Sequence, residues 1–298
     1  SQRLVSPLDW ANTRRTFQGI KGFWHSEKLD VDAWLVQPII INPTRFDSPD
    51  DKQTFAGFWT TYRPNKSQAI DAYYLYLDNT RNFTGQFGAT GGYHVNTIGA
   101  RYAGDYKHVL WDFEAMYQFG DWVNQSISAD SYTTGIGYDF KGLPMDPQFW
   151  LYWDFASGDR KYGTDDEHGT FNQLFPLGHQ YFGYLDLIGR QNIEDLSMQF
   201  VFFPAKWITG GIQYHIFRLD SATDALYNAG GTAIRRSPTG TAGRDVGDEI
   251  DIFNTYHLGL HSDLLFGYSH LFAGTFIKKT GGPLDGPDLF YAQYSFRW

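Results

Sequence analysis

Val109-Leu110-Trp111-Asp112-Phe113-Glu114-Ala115-Met116-Tyr117-Gln118 is the stretch that decides the fold. Val109, Trp111, Phe113, Ala115 and Tyr117 fall on every second position, and Asp112, Glu114, Met116 and Gln118 fall between them. Side chains of a strand point alternately to its two faces, so this segment is a strand with one apolar and one polar face. The same period returns elsewhere. Leu196, Met198, Phe200 and Phe202 oppose Asp195, Ser197 and Gln199. Ile250, Ile252 and Tyr256 oppose Glu249, Asp251 and His257. At the end of the chain Phe290, Ala292, Tyr294, Phe296 and Trp298 oppose Gln293, Ser295 and Arg297. Read this way, the chain holds about thirteen strands of about ten residues. Their cores are 16–25, 29–40, 54–63, 68–78, 93–103, 107–119, 128–140, 148–157, 193–203, 207–218, 249–258, 263–277 and 288–298. The second, third and eighth are less clean, because Trp34, Trp59 and Trp150 fall on the polar side. No stretch of twelve residues holds an apolar helical period.

Composition narrows the setting. The 298 residues are 18% aromatic, with 32 glycines, no cysteine, a net charge of −9 and a mean hydropathy of −0.42. Without cysteine there is no disulfide framework, thiolate metal site or cysteine nucleophile. The acidic balance argues against nucleic-acid binding, which needs a basic face. No apolar run is long enough for a transmembrane helix. The aromatic content is too high for a disordered chain. Two settings remain, a soluble β-rich carbohydrate-binding protein and an outer-membrane barrel.

Three features favour the barrel. The strands are long enough to cross a bilayer at a tilt, whereas soluble strands average about five or six residues. Connections alternate in length: those near 26–28, 64–67, 104–106, 204–206 and 259–262 are short, whereas 159–192 and 219–248 are long. Aromatics sit near strand ends, at Trp24, Tyr62, Phe119, Phe140, Trp207 and Trp298, as interfacial girdles require. The expected fold is therefore all-β, a transmembrane antiparallel up-and-down β-barrel forming one domain over 1–298. Its surroundings are outer-membrane lipid. Bacterial single-chain barrels have even strand numbers. Thirteen is odd, so N-terminal strands are expected to lie outside this sequence, and residues 1–15 are expected to be the tail of an external loop.

Several segments resemble the alginate export family of outer-membrane β-barrel porins. The central one is Thr170-Phe-Asn-Gln-Leu-Phe-Pro-Leu-Gly-His-Gln-Tyr-Phe-Gly-Tyr-Leu-Asp-Leu-Ile-Gly-Arg-Gln-Asn-Ile193. Others are Gln2-Arg3-Leu4-Val5, Asp9-Trp10-Ala11-Asn12-Thr13-Arg14-Arg15-Thr16-Phe17, Gly247-Asp248-Glu249-Ile250-Asp251 and Leu265 to Gly274. The resemblance implies about eighteen strands in a complete barrel. It also implies passage of a polyuronate through a cation-lined pore in the cell outer membrane. The terminal Phe290, Tyr294, Phe296 and Trp298 resemble the signal read by the outer-membrane assembly machinery.

Alternation and the motifs nominate pore-lining residues. The basic ones are Lys21, Arg101, Arg218 and Arg297, with Arg14, Arg15 and Arg190 near the outer rim. Asp112, Glu114 and Asp251 stand among a larger inward acidic set with Asp30, Asp32, Asp71, Asp154, Asp195 and Glu249. Such a wall repels a polyuronate unless its carboxylates are paired with arginines. The expected cargo is an anionic polysaccharide such as alginate or a related small anionic solute; the alternative is a general small-solute porin. No motif for nucleophilic or metal catalysis occurs, so no enzyme activity and no cofactor are expected. His257, His261 and His270 with Ser262 and Ser269 are separated by alternation. The Asp165-Asp166-Glu167-His168 run reads as a solvated loop.

Overall fold

A computed structural model describes residues 1–281 and 286–297. Thirteen long strands pair antiparallel in strict chain order. The first seven are β1 (Phe17–His25), β2 (Leu29–Ile40), β3 (Gln53–Asn65), β4 (Gln68–Thr84), β5 (Thr90–Tyr106), β6 (Val109–Trp122) and β7 (Gln125–Asp139). The rest are β8 (Gln148–Ala156), β9 (Ile193–Ala205), β10 (Ile208–Arg218), β11 (Asp245–His257), β12 (Ser262–Ala273) and β13 (Asp288–Phe296). Two short strands, 48–49 and 167–168, add to β2 and β7. The order matches the sequence expectation, and the boundaries differ. β12 stops at Ala273, because Gly274 opens a short helix over Thr275–Lys279. A small hairpin, Ala225–Tyr227 with Ala233–Arg236, lies in a connection expected to be a loop.

The sheet is inside out by the standard of a soluble protein. On β6, Phe113, Tyr117 and Phe119 are 37%, 44% and 40% exposed, whereas Asp112, Glu114 and Gln118 are 7%, 3% and 0% exposed. Leu196, Met198 and Phe200 on β9 and Ile212 on β10 are likewise exposed, and Asp195, Ser197 and Gln213 are buried. An apolar band facing outward with a polar interior is the arrangement a bilayer selects. Trp24, Tyr62, Phe140 and Trp207 are exposed at one end of the strands and Phe119 near the other, which places aromatics at both edges of the band.

Two segments outside the strands cover the polar face. Residues 2–7 run beside 173–177: Phe175 N donates to Leu4 O at 2.8 Å, Ser6 N to Phe175 O at 2.9 Å and Leu177 N to Gln2 O at 2.9 Å. Leu4, Phe171, Phe175, Phe182 and Ile188 pack with Phe55, Leu75, Leu77 and Val95 of the wall. The expectation that 1–15 is the tail of an external loop is therefore corrected for residues 2–7. Arg3 meets Asp112 and Glu114 on the inner face, and Leu4 packs in the core there.

Glycine explains the tryptophans that broke alternation. Trp34 lies over Gly57, Trp150 over Gly137, Tyr152 over Gly135, Tyr73 over Gly99, Phe253 over Gly211 and Tyr291 over Gly267. A Cβ at each of these glycines would fall within 2.0–2.6 Å of the ring. Each ring thus lies flat on the neighbouring strand with its other face turned inward. Trp59 stacks on Tyr73 at 4.1 Å. Gly210 lies beneath Phe202 on the outer face, so Gly210-Gly211 serves ring packing on both faces.

Connections 26–28, 66–67, 107–108, 140–147, 206–207 and 258–261 lie at one end of the strands. Those at 157–192 and 219–244 lie at the other, together with a two-residue turn at 123–124. Among the described residues, the outer edges of β1 and β13 have no strand partner. Ala115, mid-strand and outward-facing, tests the orientation of the whole sheet. Ala115→Arg should destabilise the bilayer-inserted protein by about 2–4 kcal/mol. Denaturant unfolding from vesicles measures it, and a cost near zero would contradict a lipid-facing outer surface.

Candidate functional site

A network of ions runs across the inner face from β4 to β8. Alternation delivers Asp71 (β4), Arg101 (β5), Asp112 and Glu114 (β6), and Asp154 (β8) to the same side. Arg101 Nε donates to Asp112 Oδ1 at 2.6 Å and its Nη1 to Asp71 Oδ2 at 3.5 Å. Arg3 enters from the inner segment, donating through Nη2 to Asp112 Oδ2 and through Nη1 to Glu114 Oε2, both at 3.0 Å. Tyr73 donates to the other Glu114 oxygen at 2.8 Å. Arg190, from the second inner segment, donates to Asp154 Oδ1 at 2.6 Å, and Thr133 donates to the same oxygen at 2.5 Å. Tyr181 and Phe182 lie over the guanidiniums of Arg3 and Arg190 at 4.6 and 4.7 Å.

The electrostatics follow from burial. Desolvation would lower the Arg3 pKa, but Asp112, Asp154 and Glu114 outweigh it and raise it, so Arg3 stays charged at any accessible pH. Arg15 lacks such a carboxylate, and burial pulls its pKa down to about 10. Its Nη1 donates instead to the carbonyls of Ser6 and Pro176.

A second cluster lies on β9–β11. His215 Nδ1 is 2.7 Å from Asp195 Oδ2, and its Nε2 is 3.9 Å from Asp251 Oδ2. The inner segment caps this cluster with backbone: Leu185 N donates to Glu249 Oε1 at 2.9 Å and Tyr184 N to Asp251 Oδ1 at 3.3 Å. Gly183, at φ +84°, allows that approach; a Cβ there would fall 2.3 Å from Glu249.

The nominated residues separate on this geometry. Asp112, Glu114, Asp251 and Arg101 lie on the inner face. Lys21 faces inward and meets Asp32 at 2.8 Å. Arg190, expected near the outer rim, is buried against Asp154, because its segment folds inward. Arg14 is exposed and pairs with Asp9 at 3.1 Å. Arg218, expected inward, is exposed on the side of Ile212, Tyr214 and Ile216, next to the register shift between Phe217 and Arg218. Arg297 lies past the end of β13, exposed, with its N–H on His261 O. Phe290, Tyr294 and Phe296 point outward, and Trp298 lies outside the described residues. Sequence reasoning missed Arg3, although its motif was noted, because no strand period assigns a face to residues 1–15.

At the end bearing the long connections, Trp122 is stacked between Tyr93 and His168 at 4.7 and 4.4 Å, beside a cavity of about 540 Å³. His168 is buried, not solvated as expected, since 167–168 adds to the edge of β7. Burial pushes His168 down to about 4. Burial, with Asp224 adding to it, pushes the neighbouring Asp159 up to about 6.

The family model described as alginate export matches residues 1–286. Three solved Pseudomonas aeruginosa structures share the fold. OccD3 (OpdP) is 11% identical, with a TM-score of 0.59 over 95% of this chain and 69% of that one. The outer membrane protein OprD is 12% identical, with a TM-score of 0.57 over 97% and 72%. OccK11 (OpdR) is 12% identical, with a TM-score of 0.54 over 96% and 69%. No curated protein matches the chain.

Two predictions follow from this geometry. Arg190→Gln removes the 2.6 Å partner of a buried carboxylate, a loss of about 3–5 kcal/mol. It should fall on docking of the inner segment, so hydrogen exchange over 171–192 should accelerate while β6 and β7 stay protected. The second concerns pH. A raised Asp159 makes the native loop lose stability as pH rises between about 4 and 6, and a lowered His168 makes it lose stability as pH falls from about 6.5 to 4. The terms oppose each other in the parent. In His168→Phe only the first survives, so proteolysis of 157–170 should accelerate as pH rises from about 4 to 6.

Proposed function

The chain belongs to the alginate export family, and from that premise we propose that its cargo is an anionic polysaccharide, with alginate the leading case. The protein is an outer-membrane channel and not an enzyme, and its outward band is in contact with lipid. One observation supports the cargo: Arg3, Arg101 and Arg190 stand in one charge network across the inner face. Guanidinium binds carboxylates bidentately, which suits successive uronate groups. Each of these arginines is already engaged by a wall carboxylate. At Arg101, the one of the three that water reaches, a passing uronate exchanges with a partner of its own chemistry and is not trapped, as conduction requires. The same pairing relieves the acid-rich wall, since Asp30 is held by Arg63 at 2.6 Å and Asp32 by Lys21.

Closure belongs to the same proposal. Among the described residues the outer edges of β1 and β13 are unpaired, and an open sheet edge does not persist in hydrocarbon, so closure of the sheet goes with the channel reading. Phe290, Tyr294 and Phe296 would serve as the signal to the assembly machinery. The acidic cluster at Asp195, Glu249 and Asp251, with one histidine, favours a second reading, a general small-solute porin of mild cation preference.

Arg101 is the most water-accessible of the three arginines. In planar bilayers under a salt gradient, Arg101→Glu should shift the reversal potential toward cations and weaken block by oligomannuronate about tenfold. An unchanged reversal potential together with unchanged block would overturn the role given to Arg101. Complete absence of oligomannuronate block in the parent would favour the small-solute porin.

A further inference from the structure

Between the inner segment and the wall of β8–β10 lies a separate cavity of about 170 Å³. Part of its polar lining is free. Asp154 and Gln213 are engaged, Gln180 is exposed and Gln199 is half-buried. Arg3 Nε is buried with no hydrogen-bond partner, and the nearest carboxylate, Asp154 Oδ1, stands 4.0 Å away. Among the described residues, the side chains of Gln180, Ser197 and Gln199 also make no hydrogen bond. A buried unpaired donor is costly, and a cavity that gathers one with two amides and a hydroxyl is built for a polar occupant. Its aromatic lining is equally specific. Tyr152 lies flat on Gly135, which turns the free face of its ring inward, and Tyr184 stacks on His179 at 4.3 Å.

We propose that this cavity binds a single pyranose unit of the cargo, recognised through its hydroxyls and ring face and not through its charge. The volume corresponds to about five or six waters at about 30 Å³ each, enough for one six-membered ring and its hydroxyls. Gln180, Gln199 and Ser197 offer both donors and acceptors, which hydroxyls require and a carboxylate does not. The Tyr152 face offers the apolar contact that a ring's C–H face takes. Charge is withheld: both Nη atoms of Arg3 are engaged by Asp112 and Glu114, and Asp154 is engaged by Arg190 and Thr133. The occupant therefore meets a neutralised wall with one spare donor, Arg3 Nε. This assignment rests on the channel reading above only for the statement that the pyranose belongs to the cargo.

The test is equilibrium binding of two probes, oligomannuronate hexamer and cellohexaose, to the full protein in detergent. Both should bind, within about threefold of each other. Gln180→Ala and Gln199→Ala should each weaken both probes about three- to tenfold, the range for one lost hydrogen bond. Neither amide has a partner in the fold, so these variants leave the barrel intact. Trp207→Phe, on the outer girdle, should change nothing. Binding of either probe that is indifferent to both glutamines would overturn the inference. So would uronate binding about a hundredfold tighter than the neutral hexamer. If oligomannuronate blocks conductance while neither probe depends on the glutamines, the cargo reading stands and the pyranose site falls. If cellohexaose binds through the glutamines while oligomannuronate neither binds nor blocks, the pyranose site stands and the anionic cargo falls.

Discussion

Hydrocarbon on one side of every strand leaves the polar rows only one direction to face, and the rest of the structure answers that constraint. Carboxylates driven to the inner face of β4–β11 cannot stay there as bare anions, because a buried charge is costly unless it is paired and hydrogen-bonded. The wall strands supply some of these partners: Arg101 between Asp71 and Asp112, Tyr73 on Glu114, Thr133 on Asp154 and His215 on Asp195. The others come from outside the sheet. Arg3 and Arg190 arrive on segments that fold inward, and the amides of Tyr184 and Leu185 are brought to Asp251 and Glu249. Folding of the inner segments and neutralisation of the wall are thus one event.

This pairing also shapes how a channel of this kind conducts. Unpaired arginines would bind a polyanion tightly, and unpaired carboxylates would repel it. Pre-paired ions do neither, and they hold each side chain in a fixed geometry from which one partner can be exchanged. The flat aromatic rings add a second, uncharged surface. Tyr73, Trp150, Tyr152, Phe253 and Tyr291 lie close against the wall because each lies over a glycine. Part of the high glycine content is in this sense the complement of the high aromatic content.

The strand framework was legible in the sequence because alternation is enforced along its length by two different solvents. All thirteen strands were counted, and the outward set on β6 could be read residue by residue. What escaped the sequence was the inner filling. Residues 2–7 and 170–192 carry no two-residue period, since they are neither strand nor lipid-facing, so nothing local announced that Arg3 and Arg190 point into the protein. Arg218 emerges outward with Ile212, Tyr214 and Ile216, the face that strict alternation along β10 gives it, so its inward assignment misread the strand's own period. Trp34 and Trp150 looked like errors of alternation. Their cause is a glycine one strand away, at Gly57 and Gly137, which pairing register reveals and linear sequence does not.

The absence of cysteine permits a direct test of the inverted arrangement. Single cysteines placed in turn along 111–119 of β6 can carry a fluorophore in the bilayer-inserted protein, quenched by spin-labelled or brominated lipid. Strong quenching is expected at 113, 115 and 117 and little at 112, 114, 116 and 118, a strict two-residue period. Quenching of the opposite phase, or quenching without a period, would contradict a barrel wall whose charged row faces inward.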